Sequence, residues 1–162
     1  MKKFELTTES IDVNGVKLYR IKSLINFGAV KAGKLGGYVE KEENLSQVDT
    51  AWVFGNAWVS GNARVYDDAR VFGNAWVYGD AQVSGDAQVS GDADYICLKG
   101  FGSRNRSTTM FRTKNGDIAV SCGCFGGTLE EFENKVKETH GDNKFAREYL
   151  ALVDAAKIHF EV

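Results

Sequence analysis

The 162-residue sequence has no apolar run of bilayer-spanning length, so no helical membrane span is expected. It has no excess of basic charge either. The 20 Lys and Arg stand against 22 Asp and Glu, a formal net charge of -2, so bulk attraction to nucleic acid is not expected. Where a secretory signal needs an apolar stretch, Met1-Lys2-Lys3 is followed by Phe4-Glu5-Leu6-Thr7, which points to the cytoplasm. Cysteine is scarce and odd in number: Cys97, Cys122 and Cys124. The last two are too close to bridge comfortably, so no disulfide framework is expected and a reducing compartment fits. Histidine is confined to His140 and His159. A chain of this length has the size of one domain with small appendages.

What is present is a strict clock of six residues. Alanines stand at 51, 57, 63, 69, 75, 81, 87 and 93, and two positions after each come Val53, Val59, Val65, Val71, Val77, Val83, Val89 and then Tyr95. The units are separated by Gly-Asn, Asp-Asp or Gly-Asp pairs, from Gly55-Asn56 to Gly91-Asp92, residue types that tolerate tight turns and positive φ. Each unit reads as a short strand, Ala-x-Val-x, and a corner. Alternation along the strand turns Ala and Val inward and the x residues outward. Such a unit buries its core only against neighbours, so the units must stack.

This pattern resembles the hexapeptide-repeat proteins, and the arrangement is similar to members common in phage and bacterial genomes that are often labelled transferases on the repeat alone. The resemblance implies a mainly β fold: a left-handed parallel β-helix of triangular coils, three units to a coil. Positions eighteen apart then stack, and the outward residues sort into faces. Trp52, Phe54, Arg70 and Phe72 share the first face, Trp58, Trp76 and Tyr78 the second, and Arg64, Tyr66, Gln82 and Ser84 a more polar third. Exposed aromatics at this density mark a covered surface. Another part of the same chain or another subunit could cover it. Homotrimers are the usual assembly implied by the resemblance, which makes Trp52, Phe54, Trp58, Phe72, Trp76 and Tyr78 candidate oligomer contacts.

Three regions are expected: an N-terminal hairpin cap over 1–34, the repeat over 35–94 and a C-terminal α+β module over 95–162. Asn14-Gly15 between alternating segments is a strong hairpin signal. Val39 and Leu45 keep the six-residue phase of the later alanines and predict a first, irregular coil. In the module, Tyr95 to Gly100 reads as a strand, and Ser107 to Thr113 with Ile118 to Cys122 as a hairpin. Thr128 followed by Glu131 is a capping box that opens a helix ending near Gly141, and a second helix runs from about Asn143 to Ile158.

From Lys99 to Lys114 lie five basic residues, with no acid between Asp94 and Asp117. Ser103, Arg104, Asn105, Arg106, Ser107, Thr108, Thr109 and Arg112 supply guanidinium forks and hydroxyls, the groups that bind phosphate or carboxylate. A second glycine-rich stretch, with Gly126, Gly127 and Thr128, runs into the N-terminus of the first helix, where free amides favour negative charge. If the two loops converge they make an anion pocket.

Acyltransferases on this scaffold, as the resemblance implies, use a His base near a loop that interrupts the coils. Here no His precedes His140 and no loop interrupts Ala51 to Ala93. Zinc spacing is also missing, so no metal or cofactor is expected. The leading expectation is a non-enzymatic oligomeric binding protein that captures a small anionic ligand, in one version a nucleotide signal sequestered in phage counter-defence. The alternatives are a hexapeptide-type acyltransferase and a structural or protein-inhibiting scaffold.

Overall fold

The computed structural model describes residues 1–162. The chain starts with a hairpin, β1 (Phe4–Val13) and β2 (Val16–Ser23), closed by Asn14 at φ 51° and Gly15 at φ 83°. Both turn residues in the left-handed region match the right-handed twist of the flanking strands, which is why Asn-Gly sits there. Strand β2 pairs antiparallel with β3 (Leu35–Val39). Strand β3 then pairs parallel with the repeat, so the hairpin continues one side of the stack.

Seven two-residue strands follow: β4 (Trp52–Val53), β5 (Trp58–Val59), β6 (Arg64–Val65), β7 (Arg70–Val71), β8 (Trp76–Val77), β9 (Gln82–Val83) and β10 (Gln88–Val89). They pair in parallel along three sides, β4 with β7 and β7 with β10, β5 with β8, and β6 with β9. Each step is eighteen residues, as in Trp58 beside Trp76 and Arg64 beside Gln82. The architecture is a parallel β-solenoid with three strands to a coil. Every repeat Ala from 51 to 87 and Val from 53 to 89 is at most 1 % exposed, so the axis is a continuous apolar column. Asp67 stands at φ 60° where five other corners carry glycine at 58° to 67°. Its carboxylate holds the corner by accepting from Gly85 N of the next coil, and Asp67 N donates to Asp49 of the previous one.

The first coil departs from the expected phase. Val39 pairs with Val59 and Leu45 bridges to Val65, so both occupy valine positions and not the alanine positions six-residue counting assigns them. The reason is the corner between Leu45 and Ala51, which holds two extra residues and resets the clock. Gly36 and Gly37 are needed here because a Cβ on either would collide with the backbone of the next coil, at Val53 O and Ala57 O respectively.

Trp52 is also not on the surface. Its ring is fully buried, met edge-on by Phe4 at 6.2 Å and Phe27 at 5.3 Å between centroids. The N-terminal segment folds back over this end of the first face and closes it with the chain's own side chains. Lys3 is buried there too, its Nζ donating to Ala51 O (2.8 Å) and to Asp49. Trp52 is therefore a core residue, unavailable to a second subunit.

The C-terminal module is an antiparallel meander of β11 (Tyr95–Phe101), β12 (Arg106–Arg112), β13 (Ile118–Cys122) and β14 (Phe125–Thr128), followed by α1 (Leu129–His140) and α2 (Lys144–Phe160). Period-2 alternation splits the sheet into two faces. Tyr95 and Phe111 join the solenoid's apolar column, and Thr109 Oγ1 accepts from Gln82 N (2.9 Å). Met110, Ile118, Val120 and Cys122 face the helices and form a second core with Phe132, Val136, Tyr149, Val153 and Phe160. The sheet is thus a lid on the last coil, with the helices outside it. The capping box forms as expected, Thr128 Oγ1 accepting from Glu131 N and Glu131 Oε2 from Thr128 N. Helix α2 runs two residues past the expected end. No helix is long and apolar enough to cross a membrane.

Candidate functional site

The turn between β11 and β12 carries Ser103, Arg104 and Asn105 outward, all exposed. It is pinned from behind by Glu148, which accepts from Gly102 N (2.9 Å), and by Tyr149, whose hydroxyl donates to Phe101 O (3.3 Å). Arg106 opens β12 and lies across Gly123 of the β13–β14 turn, where a Cβ would run into its Cδ and Nη1. Neither Arg104 nor Arg106 has a hydrogen-bond or ion-pair partner within the chain. Both line an open groove of about 460 Å³ at the seam between solenoid and lid. Asn105, Ser107, Ser121 and Gly123 line it on the lid side, and Tyr66, Asp80 and Gln82 on the solenoid side. Lys99 is in the same groove, but its Nζ is held by Asp80 at 2.9 Å. The hydrogen bond from Lys99, with a second from Asn62, holds the Asp80 carboxyl below its ordinary range. Two free guanidinium groups remain, beside a neutralised Lys–Asp pair.

The rest of the basic segment is structural. Thr108 is buried and donates to Cys122 Sγ (3.2 Å), and Thr109 is fully buried against Gln82 and Cys97. Arg112 donates to Phe160 O (2.9 Å), pairs with Asp94 (3.3 Å) and lies over the Phe160 ring, tying α2 to the sheet. Thr108 and Thr109 are closed off from a ligand by burial, and Arg112 is committed to holding α2.

The two loops do not converge. The glycine-rich stretch is not a loop but the edge strand β14, paired with β13 through Ala119↔Thr128, Val120↔Gly127 and Ser121↔Gly126. Gly126, Gly127 and Thr128 line a different groove of about 450 Å³, in the company of Asp67, Asp86, Asp117 and Glu131. The N-terminus of α1 is already filled by the Glu131 carboxylate, which occupies the place an anionic guest would take.

The remaining reactive groups lie elsewhere. His140 packs against Phe145 and Tyr149, and His159 contacts Ala93 O at 3.0 Å. All three cysteines are free, and burial pushes the Cys97 thiol up. No group of three or more His, Cys, Asp or Glu side chains is placed to hold a metal ion. Of the aromatic faces, Trp58 and Trp76 are half-buried in edge contact with each other (5.7 Å), while Tyr78 is 52 % exposed and tilted over Trp76 at 4.6 Å. Phe54 and Phe72 are half-buried on the first face.

Residues 63–79 match the family model of the YdcK beta solenoid repeat. The matched stretch runs from Ala63 to Gly79, within the coils described above, and agrees with the solenoid architecture. Comparison with curated proteins gives no match.

Tyr66, Gln82, Ser121 and Gly123 are site residues that sequence reasoning missed. The stacking of Gln82 beside Arg64 was readable from the eighteen-residue step. That the end of β13 faces them follows only from how the lid docks.

Proposed function

We propose that this protein is a binding protein that captures a small anionic ligand in the seam groove, with Arg104 and Arg106 as its anchors. One observation carries the reading: two adjacent guanidinium groups, unpaired within the chain, point into one groove whose third cation is already neutralised. Unpaired forks beside hydroxyls and a glycine turn are the donors that phosphate or carboxylate recognition needs. The reading is of a ligand that is held and not turned over.

The hexapeptide clock supports a left-handed winding of the coils, and the half-buried Trp58, Trp76 and Tyr78 face supports self-assembly, a trimer in the resembling family. The setting is the cytoplasm. Native mass spectrometry of the protein purified from cells tests both readings, because subunit count and retained mass are read together. An oligomer carrying a small molecule that Arg106→Ala no longer retains, at unchanged subunit count, is the expected result. Retention unaffected by both Arg104→Ala and Arg106→Ala would sink the groove assignment.

A further inference from the structure

We propose that the ligand is a nucleoside phosphate whose base lies on Tyr66, with its phosphates between Arg104 and Arg106. The inference rests on the anion reading above and adds the rest of the molecule to it.

Tyr66 and Gln82 belong to two cavities at once. They close the solenoid side of the arginine groove and also line a neighbouring cavity of about 650 Å³ that runs back along the third face of the solenoid. The two cavities therefore adjoin in one trough-like surface, with a ring and a carboxamide at their shared wall. The Tyr66 ring stacks on no other aromatic ring of the chain and its hydroxyl has no hydrogen-bond partner. It is half-exposed, a flat surface open to a second flat group. Gln82, stacked beside Arg64 in the β6–β9 pair, presents a side-chain amide with no partner in the chain, a donor and an acceptor together.

Charge changes sign along the trough. One end holds Arg104 and Arg106, and the far end holds Glu43 and Asp67 with Arg64 between, while Asp49 there is paired with Lys3. A long polyanion would be repelled at the far end, and a bare phosphate would leave the middle empty. A ligand with anionic groups at one end, a flat ring next and amino or hydroxyl donors beyond satisfies all three segments. A nucleoside phosphate has that order of parts. Ser121 also lines the phosphate end, and its hydroxyl makes no hydrogen bond within the chain, so it is a further donor open to an anion.

Titration calorimetry of the full chain with ADP, UDP and inorganic pyrophosphate separates the two readings. Stacking of a base on an aromatic ring is expected to make ADP bind about tenfold more tightly than pyrophosphate. Tyr66→Ala is expected to remove that margin and leave pyrophosphate binding unchanged, while Tyr66→Phe keeps it. The acidic far end favours bases with an exocyclic amine, so ADP should exceed UDP. Equal affinities for ADP and pyrophosphate, or a margin that survives Tyr66→Ala, would overturn the nucleoside assignment and leave anion capture standing. Binding of none of the three probes overturns both.

Discussion

The solenoid and its lid bury apolar surface by opposite means. In the coils, strands of two residues are stabilised by identical neighbours eighteen residues away, and the backbone donors are used from coil to coil, as in Trp52 N to Ala69 O. In the lid, strands of four to seven residues and two helices close on a core of their own. Repetition leaves few groups idle inside the coils. Arg104 and Arg106 stand together where the repeat stops and an irregular sheet docks on its end, because a turn that serves no repeat can hold side chains without partners. The scaffold is the regular part and the candidate chemistry lies on its seam.

The sharpest way to break this comparison is to place a charge in the apolar column. Val71→Asp buries an unpaired carboxylate in a site with no exposure, and a cost above about 4 kcal/mol is expected. Because Tyr95 and Phe111 belong to the solenoid's core, the lid should melt in the same urea transition. A far-ultraviolet helix signal that outlives the solenoid would show that the lid folds independently.

Next in size is a contrast within the aromatics of the coils. Trp52→Ala opens a cavity beneath Phe4 and Phe27 and should cost about 3–5 kcal/mol. Tyr78→Ser removes a ring that is 52 % exposed and should stay within about 0.5 kcal/mol in the monomer. Denaturant unfolding measures both. Light scattering on Tyr78→Glu then tests assembly: a smaller particle is expected where the second face joins subunits, and an unchanged one removes that face from the interface.

These contrasts show what the sequence made legible. The Ala and Val positions could be read because period six and period two agree over eight units, and the two helices because Thr128, Glu131, Gly141 and Asn143 are local signals. Trp52 could not be read, since it has the same place in its unit as the exposed-facing Trp58 and is buried only by a segment returning from Phe4 to Phe27. Val39 and Leu45 kept the period, yet a longer corner shifted them from the alanine to the valine slot. Strand β14 was hidden because Gly126-Gly127 has little strand propensity, and pairing with β13 decides it. In the basic segment, Arg104 and Arg112 look alike in sequence. Only the arrival of Phe160 and Asp94 makes one a tie and leaves the other free.

That difference sharpens the comparison at an intermediate scale. Arg112→Leu abandons the Phe160 carbonyl and the Asp94 carboxylate and should cost about 1–3 kcal/mol. Arg104→Ala should change stability by less than about 0.5 kcal/mol. Equal losses in thermal unfolding would mean that Arg104, too, is structural.

Alkaline titration probes the seam and the lid together. Burial, with the nearby Cys122, pushes the Tyr149 phenol up to about 12, and burial raises Tyr95 as well. The unfolded chain ionises these groups near pH ~10, so it releases protons that the native state still holds. Their contribution is complete below the unfolded value and is lost as pH rises from about 10 toward the folded one. In the folded protein these two should form phenolate only at higher pH than they do in the unfolded chain. An absorbance titration of the native protein that matches that of the unfolded chain would contradict the packing of the lid.

The smallest effect concerns the neutralised pair in the groove. Asp80 accepts from Lys99 and Asn62 and holds the third cation away from a ligand. Asp80→Asn keeps the shape, removes a negative charge from the groove and leaves the Lys99 ammonium without its counterion. Exposed ion pairs are weak, so the gain is modest: pyrophosphate should bind about two- to fivefold more tightly, and the gain should shrink as salt is raised. A fall in affinity would instead make Asp80 a group that orients Lys99 toward the anion. The cationic end would then have three anchors, with the solenoid supplying the acid that positions one of them.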